Sequence, residues 1–143
     1  MRILTYLVTF ALAAALAGAG ALANDEAPLD LKPAVAAAEN WLATLDSGRY
    51  TDTWEEAAAI FKDGAPQSKW EPAVQAARQA LGVVNSRKVR TMRYVNVLPG
   101  APPGDYVIIE FDTNFEKRPL SVETVTPMRT KAGDWKVAGY FIR

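Results

Sequence analysis

Residues 105–143, DYVIIEFDTNFEKRPLSVETVTPMRTKAGDWKVAGYFIR, decide the fold of this chain. Three apolar runs typical of strands are separated here by short segments of turn-forming residues; the runs are 105–115, 120–130 and 135–142. A fourth run, 83–98, precedes the loop sequence Pro-Gly-Ala-Pro-Pro-Gly at 99–104. Short connections join antiparallel neighbours, so the pattern predicts a four-stranded antiparallel meander that ends with the chain.

Apolar residues at helical spacing precede the strands and predict three helices, at about 33–46, 51–61 and 68–81. Ser68-x-x-Glu71 has the spacing of a capping box at the start of the third helix. Helices followed by an antiparallel meander predict one α+β domain over residues 33–143, with three N-terminal helices packed on a four-stranded sheet.

Closing each hairpin around its loop predicts a register in which Phe115 opposes Leu120. The companion pairs are Leu98 with Asp105 and Thr130 with Trp135. One sheet face then carries Met92, Tyr94, Val107, Ile109, Phe111, Val122, Met128, Val137 and Phe141, and we expect it to pack under the helices. The other face carries Val95, Val97, Tyr106, Ile108, Val125, Tyr140 and Ile142.

Both predicted faces are apolar, whereas a sheet with one solvated face alternates apolar with polar residues. The second face therefore predicts a homodimer, and the alternative is a twisted sheet with half-exposed edges. Pro127 falls in a central strand and predicts a bulge or a break near Thr126-Pro127. All of this depends on the register, because a slip of one residue exchanges the faces of a strand.

The same register places charged residues opposite one another, Arg93 with Glu110 and Asp112 with Glu123. Paired carboxylates raise each other's pKa and serve as acid–base pairs in enzymes. The alternative, which we favour, is a salt-bridge cluster in which Arg93 neutralises the acidic side chains. Basic residues crowd the first strand between Arg87 and Arg93, and we interpret them as protection of a sheet edge against aggregation rather than as an anion site.

Aromatic residues on the predicted helices and the first strand are candidates to line a pocket: Trp41, Trp54, Phe61, Trp70 and Tyr94. A tryptophan offers a flat apolar wall with one hydrogen-bond donor, which suits an apolar ligand. Core packing is the commoner use of such positions, and both interpretations stay open here.

The first 23 residues, MRILTYLVTFALAAALAGAGALA, have the features of a secretory signal peptide. Arg2 provides the charged start, an uncharged apolar run follows, and Ala21-Leu22-Ala23 provides small residues for cleavage after Ala23. Residues 24–32 are polar with a proline and predict a flexible mature N-terminus. We expect a periplasmic or secreted protein without a membrane segment after cleavage; the alternative is a retained anchor.

Composition excludes several kinds of chemistry. The 143 residues contain no cysteine and no histidine, which excludes disulfides, thiol nucleophiles, Ser-His-Asp triads and the usual zinc ligands. The 16 basic and 16 acidic residues balance, so no electrostatic attraction to nucleic acid is expected. We predict no metal and no cofactor.

Several segments resemble a bacterial family called domain of unknown function 4019. They are Asn40-Trp41-Leu42, Asp46-x-Gly48-x-Tyr50, Thr53-Trp54, Trp70, Arg78-x-x-Leu81-Gly82, Ser86-Arg87 and the ending Gly133 to Arg143. The residues that carry the resemblance most clearly are Arg78, Arg87, Trp135, Gly139 and Tyr140. The order of helices and meander is also similar to the nuclear-transport-factor-like cone fold, and the resemblance implies that fold without implying any catalytic residue.

These observations favour a secreted or periplasmic binding or protein-interaction module over an enzyme. We expect its partner to be a small apolar ligand or an envelope protein, bound in the cleft between the helices and the sheet. Two alternatives remain. One is a small isomerase or hydrolase that uses Asp112 and Glu123 as its acid–base pair, with Tyr140 or Tyr106 nearby on the same face. The other is a structural envelope dimer.

Overall fold

The computed structural model describes residues 29–143. The predicted signal peptide and residues 24–28 of the predicted mature N-terminus lie outside the described residues. Within the described part, no helix has the length and apolar character needed to cross a membrane.

Between residues 29 and 83, the structure has four helices ahead of the sheet: α1 Lys32–Asp46, α2 Tyr50–Glu56, α3 Ala59–Gly64 and α4 Gln67–Leu81. The prediction of one helix over 51–61 was wrong, because Ala57 and Ala58 have extended backbones that separate α2 from α3. The Ala58 N–H donates a hydrogen bond of 2.8 Å to the carbonyl of Val137. This bond to the last strand replaces the bond that a continuous helix would have made at Ala58.

Helix α4 begins differently from the capping-box prediction. Pro66 occupies the position before the helix, and no side chain caps its first turn. Glu71 instead accepts hydrogen bonds from Thr51 at 2.9 Å and Gln67 at 2.6 Å, so it links α4 to α2. The helix ends at Leu81, and the next residue, Gly82, has a φ of 76°, which suits a residue without a side chain.

Four strands follow: β1 Val84–Val95, β2 Tyr106–Phe115, β3 Arg118–Arg129 and β4 Trp135–Ile142. Each pairs antiparallel with the next, in the order β1-β2-β3-β4. The predicted α+β class and the predicted meander are therefore confirmed, with four helices rather than three.

The hairpin between β2 and β3 is tighter than predicted. Phe115 pairs with Arg118, so the turn contains only Glu116 and Lys117. Their N–H groups donate to the carbonyls of Val83 and Leu81, each at 2.9 Å, and thus hold the turn against the end of α4. Farther along, Thr113 pairs with Ser121, one residue away from the predicted register.

This one-residue difference reverses the faces of β3. Phe111 pairs with Glu123 and Ile109 with Val125, so Glu123 and Val125 lie on the helix-facing side. The predicted members Val122 and Met128 consequently lie on the outer face.

The pairing of β3 with β4 changes register between Thr126 and Pro127, which confirms the predicted bulge. Val137 pairs with Pro127 and Tyr140 pairs with Val125, so the extra residue on β4 lets Val137 and Tyr140 both face the helices. The predicted assignment of Tyr140 and Ile142 to the outer face was therefore wrong, as was that of Phe141 to the inner face.

The core lies between the helices and strands β2 to β4. Its buried side chains include Trp41, Leu42, Leu45, Phe61, Trp70, Val74, Val107, Ile109, Phe111, Val125, Val137 and Tyr140. Helix α1 packs mainly over β3 and β4. Strand β1 is an edge of the sheet, and most of its side chains are exposed.

Candidate functional site

Six polar residues meet between α1, α4 and the inner face of the sheet, and we call them the Glu123 cluster. The members are Asp46, Arg78, Arg87, Thr113, Glu123 and Tyr140. They come from α1, α4 and all four strands. The cluster therefore joins every strand of the sheet to the two longest helices.

Glu123 is the centre of the cluster and is fully buried. Its Oε1 accepts hydrogen bonds from Arg87 Nε at 2.7 Å and Thr113 Oγ1 at 2.6 Å. Its Oε2 accepts from the Tyr140 hydroxyl at 2.5 Å and from Arg78 Nη1 at 3.4 Å. A buried carboxylate needs this many donors, because burial removes the water that would otherwise solvate the charge.

Asp46 closes the cluster on the solvent side, where its side chain is 29% exposed. Arg87 donates to both of its carboxylate oxygens, at 2.6 and 3.0 Å, and Arg78 also donates to it. Asp46 is the last residue of α1, where the helix dipole disfavours a negative charge. The two guanidinium groups offset that effect and leave the cluster with two charges of each sign.

The surroundings of Asp46 and Tyr140 shift the pKa of each side chain and so determine its protonation state at neutral pH. Burial alone would raise the pKa of Asp46, but the hydrogen bond and charge of Arg87, together with Arg78, lower it below its usual value. Burial raises the pKa of Tyr140 well above its usual value, and the charge of Glu123 raises it further. At neutral pH, Asp46 is thus ionised and Tyr140 is a neutral hydrogen-bond donor.

The predicted acid–base pair of Asp112 and Glu123 does not form. Asp112 has Val122 as its Cα partner and lies on the outer face, opposite in direction to Glu123. Its nearest cation is Arg90, at 3.7 Å, and both side chains are about half exposed. The predicted pairing failed because it depended on the register of β3.

The register of β1 and β2 also does not place Arg93 opposite Glu110, as had been predicted. Arg93 pairs with Ile108, and Thr91 pairs with Glu110. Glu110 instead forms an ion pair of 2.6 Å with Arg143, at the surface. Among residues 29–143, no group of three or more potential acidic ligands is placed to hold a metal ion.

The aromatic residues predicted to line a pocket lie mostly in the core. Trp70 contacts Phe61 at a ring-centroid distance of 4.9 Å and Trp41 at 5.9 Å. Tyr140 lies 5.2 Å from Trp41, which joins this aromatic group to the Glu123 cluster. The indole N–H groups of Trp41 and Trp70 both donate to Thr53, so they are already occupied.

The remaining two aromatic candidates lie nearer the surface. Trp54 is partly buried, donates to the carbonyl of Ala65 at 2.7 Å, and has the Lys62 ammonium over its ring. Tyr94 is 40% exposed on β1, and its hydroxyl donates to Asp105 at 2.6 Å.

The structure also has an open apolar depression that shares no residue with the Glu123 cluster, and we call it the α1–β1 groove. It has a volume of about 620 Å³ and is lined by Leu29, Asp30, Leu31, Lys32, Val35, Ala36, Glu39 and Met92. Leu29 and Met92, both large apolar side chains, are 42% and 48% exposed and lie in this one depression. Met92 is the β1 residue that lines the groove, and the other lining residues belong to the segment 29–31 and to α1.

Sequence reasoning named Glu123, Arg78, Arg87 and Tyr140 but did not assemble them into one cluster. It paired Glu123 with Asp112 and placed Tyr140 near that pair as one of two candidate tyrosines. It counted Arg87 among the basic residues that protect the sheet edge and gave Arg78 no role beyond the family resemblance. Asp46 and Thr113 were missed as members of the cluster. Asp46 does stand in one of the segments that carry the family resemblance, which was the only available signal.

Trp135 and Gly139, which also carry the family resemblance, both lie on β4. Trp135 is partly buried and packs against the core. Gly139 pairs with Thr126 at the β4 bulge, where a side chain would meet the Thr126 Cβ at 3.9 Å.

The comparison with known proteins agrees with the resemblance. The sequence model of the family described as "Protein of unknown function (DUF4019)" matches residues 37–140. All six members of the Glu123 cluster lie within or at the end of this match. No curated protein matches the chain. The chain therefore belongs to the DUF4019 family.

Proposed function

We propose that this member of the DUF4019 family is a secreted or periplasmic binding module that recognises a partner or ligand at the α1–β1 groove. The observation that carries the proposal is the contrast between the filled helix–sheet interior and the exposed apolar side chains of the groove. Binding requires apolar surface that can be removed from water on contact, and the groove offers it.

The interior is a poor place for a ligand. Trp41, Phe61 and Trp70 are each at most 3% exposed and contact one another. The Glu123 carboxylate already accepts from four side chains, so it has little capacity left for a substrate. A ligand in this region would have to displace well-packed rings or break ion pairs.

The groove has the features of a binding site. Its volume of about 620 Å³ falls within the range of small-molecule sites, roughly 300–1,000 Å³. Leu29, Val35 and Met92 provide apolar surface, while Asp30, Lys32 and Glu39 provide polar groups for orientation.

The test compares two identical substitutions on α1. Ala36→Glu places a charge in the groove, and Ala43→Glu places the same charge on the same helix at an exposed position outside the groove lining. We expect native mass spectrometry of the protein from a periplasmic extract to detect a retained species with the wild type and Ala43→Glu. We expect Ala36→Glu to lose it.

A solution measurement covers the case of a ligand lost in purification. An anilinonaphthalene sulfonate dye should fluoresce with the wild type and Ala43→Glu and much less with Ala36→Glu. Equal dye binding by all three proteins, together with no retained species in any of them, would overturn the proposal.

A structural homodimer is the second candidate, and the outer sheet face favours it. Ile108, Val122, Met128 and Phe141 lie on that face and are only partly buried. A partner surface would remove these side chains from water.

Sedimentation equilibrium of the wild type and a Val122→Glu variant tests the dimer. A dimer that becomes a monomer on substitution supports it. A wild-type protein that stays monomeric at high concentration contradicts it, and this outcome has no bearing on the groove.

A further inference from the structure

We propose that the free edge of β1 binds an extended segment of another protein in which apolar and acidic residues alternate. This inference rests on the proposed function and deepens it, because it names the kind of partner that the α1–β1 groove receives. It is carried by three features that meet at β1: an unpaired strand edge, the groove on one side of it, and basic side chains on the other.

The strand edge supplies main-chain hydrogen bonds. Among residues 29–143, β1 pairs only with β2, with register shifts between Val84 and Ser86 and between Val89 and Thr91. Between these shifts and after them, alternate N–H and C=O groups along its other side have no strand partner within that range. Extended peptides commonly bind by adding a strand to such an edge, with affinity from the main chain and specificity from alternate side chains.

The inner side of the edge is apolar. Met92 pairs with Ile109 on the helix-facing side of the sheet and also lines the α1–β1 groove. A strand added along β1 would direct every second side chain toward the same side. These side chains would lie next to Met92 and enter the groove between Leu29 and Val35.

The outer side of the edge is basic. Lys88 and Arg93 are exposed, and neither has an ion pair within 4.0 Å among residues 29–143. Arg90 lies 3.7 Å from Asp112, with both side chains about half exposed. The alternate side chains of an added strand would lie beside these cations, so acidic residues would be favoured there.

The charges also indicate that the partner is a different chain. A second copy pairing β1 with β1 would bring the same basic residues together, which is destabilising. Basic residues on an edge strand thus prevent self-association while they attract an acidic segment.

A synthetic peptide of alternating valine and glutamate, blocked at both ends and long enough to pair along β1, is the probe. We expect amide chemical-shift changes in ¹⁵N-labelled protein, together with slower amide exchange, to concentrate in β1, including Met92 at the groove. A peptide of alternating valine and lysine, and a valine–glutamate peptide N-methylated on alternate residues, should not bind. The second control removes the main-chain donors and keeps the side chains.

Paired charge reversals test the outer side. The variant Lys88→Glu/Arg93→Glu should weaken binding of the valine–glutamate peptide by about tenfold or more, since it places like charges side by side. Lys69→Glu/Lys131→Glu changes the net charge equally at exposed positions away from β1 and should bind like the wild type. Equal weakening by both variants would show a general charge effect and overturn the proposal.

The outcomes separate this inference from the proposed function. In one outcome, the dye binds the wild type, Ala36→Glu weakens dye binding, and the valine–glutamate peptide does not bind. The groove then remains a binding site and the β1 inference is wrong. If neither dye nor peptide binds, both fail. Binding of the N-methylated peptide as strongly as the unmodified one would also overturn strand addition.

Discussion

The two ends of strand β1 carry similar residues in opposite surroundings. Near its start, Arg87 is only 14% exposed and lies between the carboxylates of Asp46 and Glu123. Toward its end, Arg93 is exposed and Met92 lines the open groove. The same strand therefore contributes to the buried Glu123 cluster and to the open α1–β1 groove.

Helix α1 accounts for this difference, because its C-terminal end contacts β1 directly and its N-terminal half borders an open groove. Its C-terminal residue, Asp46, contacts Arg87 and closes one end. Its N-terminal half leaves the groove beside Met92 open. A charge that is buried must be paired, whereas a charge in water need not be. Breaking the pairs of Arg87 should therefore cost more stability than removing the exposed charge of Arg93.

The largest effect is expected for Glu123→Ala. Removing the buried carboxylate leaves the two buried guanidinium groups of Arg78 and Arg87 with Asp46 as their one remaining acidic partner, which costs about 3–5 kcal/mol in unfolding free energy. The exposed pair of Glu110 with Arg143 provides the control, and Glu110→Ala should cost at most about 1 kcal/mol. Urea denaturation of the three proteins measures both, and equal losses would contradict the assignment of Glu123 to a buried cluster.

Arg87→Ala should destabilise the protein less than Glu123→Ala does, and Arg93→Ala on the same strand is its control. Arg87→Ala should cost roughly 2–3 kcal/mol, below the cost of fully breaking a buried pair because Arg78 stays near Glu123. Arg93→Ala should change stability by less than about 0.5 kcal/mol, as for most surface substitutions. Thermal unfolding followed by circular dichroism measures the difference, and a destabilised Arg93→Ala would refute the contrast between the ends of β1.

Tyr140→Phe should cost about 2 kcal/mol, the typical loss for a hydrogen bond to a charged group. The ring stays in place against Trp41, so the loss comes from the hydroxyl that donates to Glu123. Tyr94→Phe removes a hydroxyl from an exposed contact with Asp105 and should cost less than about 1 kcal/mol. Chemical denaturation of both variants tests whether burial sets the cost.

The smallest effect is a pH dependence at the acidic limit. Because the pKa of Asp46 is lowered on folding, its contribution is present above its unfolded value of 3.8 and is lost as the pH falls through the folded value. We therefore expect Asp46→Asn to reduce the loss of stability on acidification below about pH 4, relative to the wild type. Stability measured between pH 3 and 7 provides the test, and parallel curves for the two proteins would contradict it.

At the alkaline limit the sign is opposite. The pKa of Tyr140 is raised, so its contribution is present below its unfolded value of 10.0 and falls as the pH rises through the folded value. Tyr140→Phe should lack this alkaline loss.

Much of the fold could be predicted from the sequence, and the exceptions have physical causes. The meander, the α+β class and the bulge at Pro127 followed from local composition, since turn residues and a proline act on their own neighbourhood. The break between α2 and α3 did not, because it depends on a hydrogen bond from Ala58 to the distant Val137.

The candidate site could be predicted only in fragments. Glu123 was recognised as a candidate residue, but its partners depended on which face of β3 it occupies. The predicted hairpin placed Leu120 opposite Phe115, whereas the turn is tightened by hydrogen bonds to Leu81 and Val83. One residue of register therefore decided whether Glu123 met Asp112 on a surface or Arg87 in the interior.

The sequence by itself determined the order of the elements, the antiparallel meander and the absence of cysteine and histidine chemistry. These properties depend on residue types and on spacing along the chain, which the sequence contains in full. Only the tertiary structure decided that Asp46, Arg78 and Arg87 surround Glu123 and that Met92 borders an open groove. Those contacts join residues far apart in the chain, and their formation depends on register and helix placement, which arise from packing rather than from any local pattern.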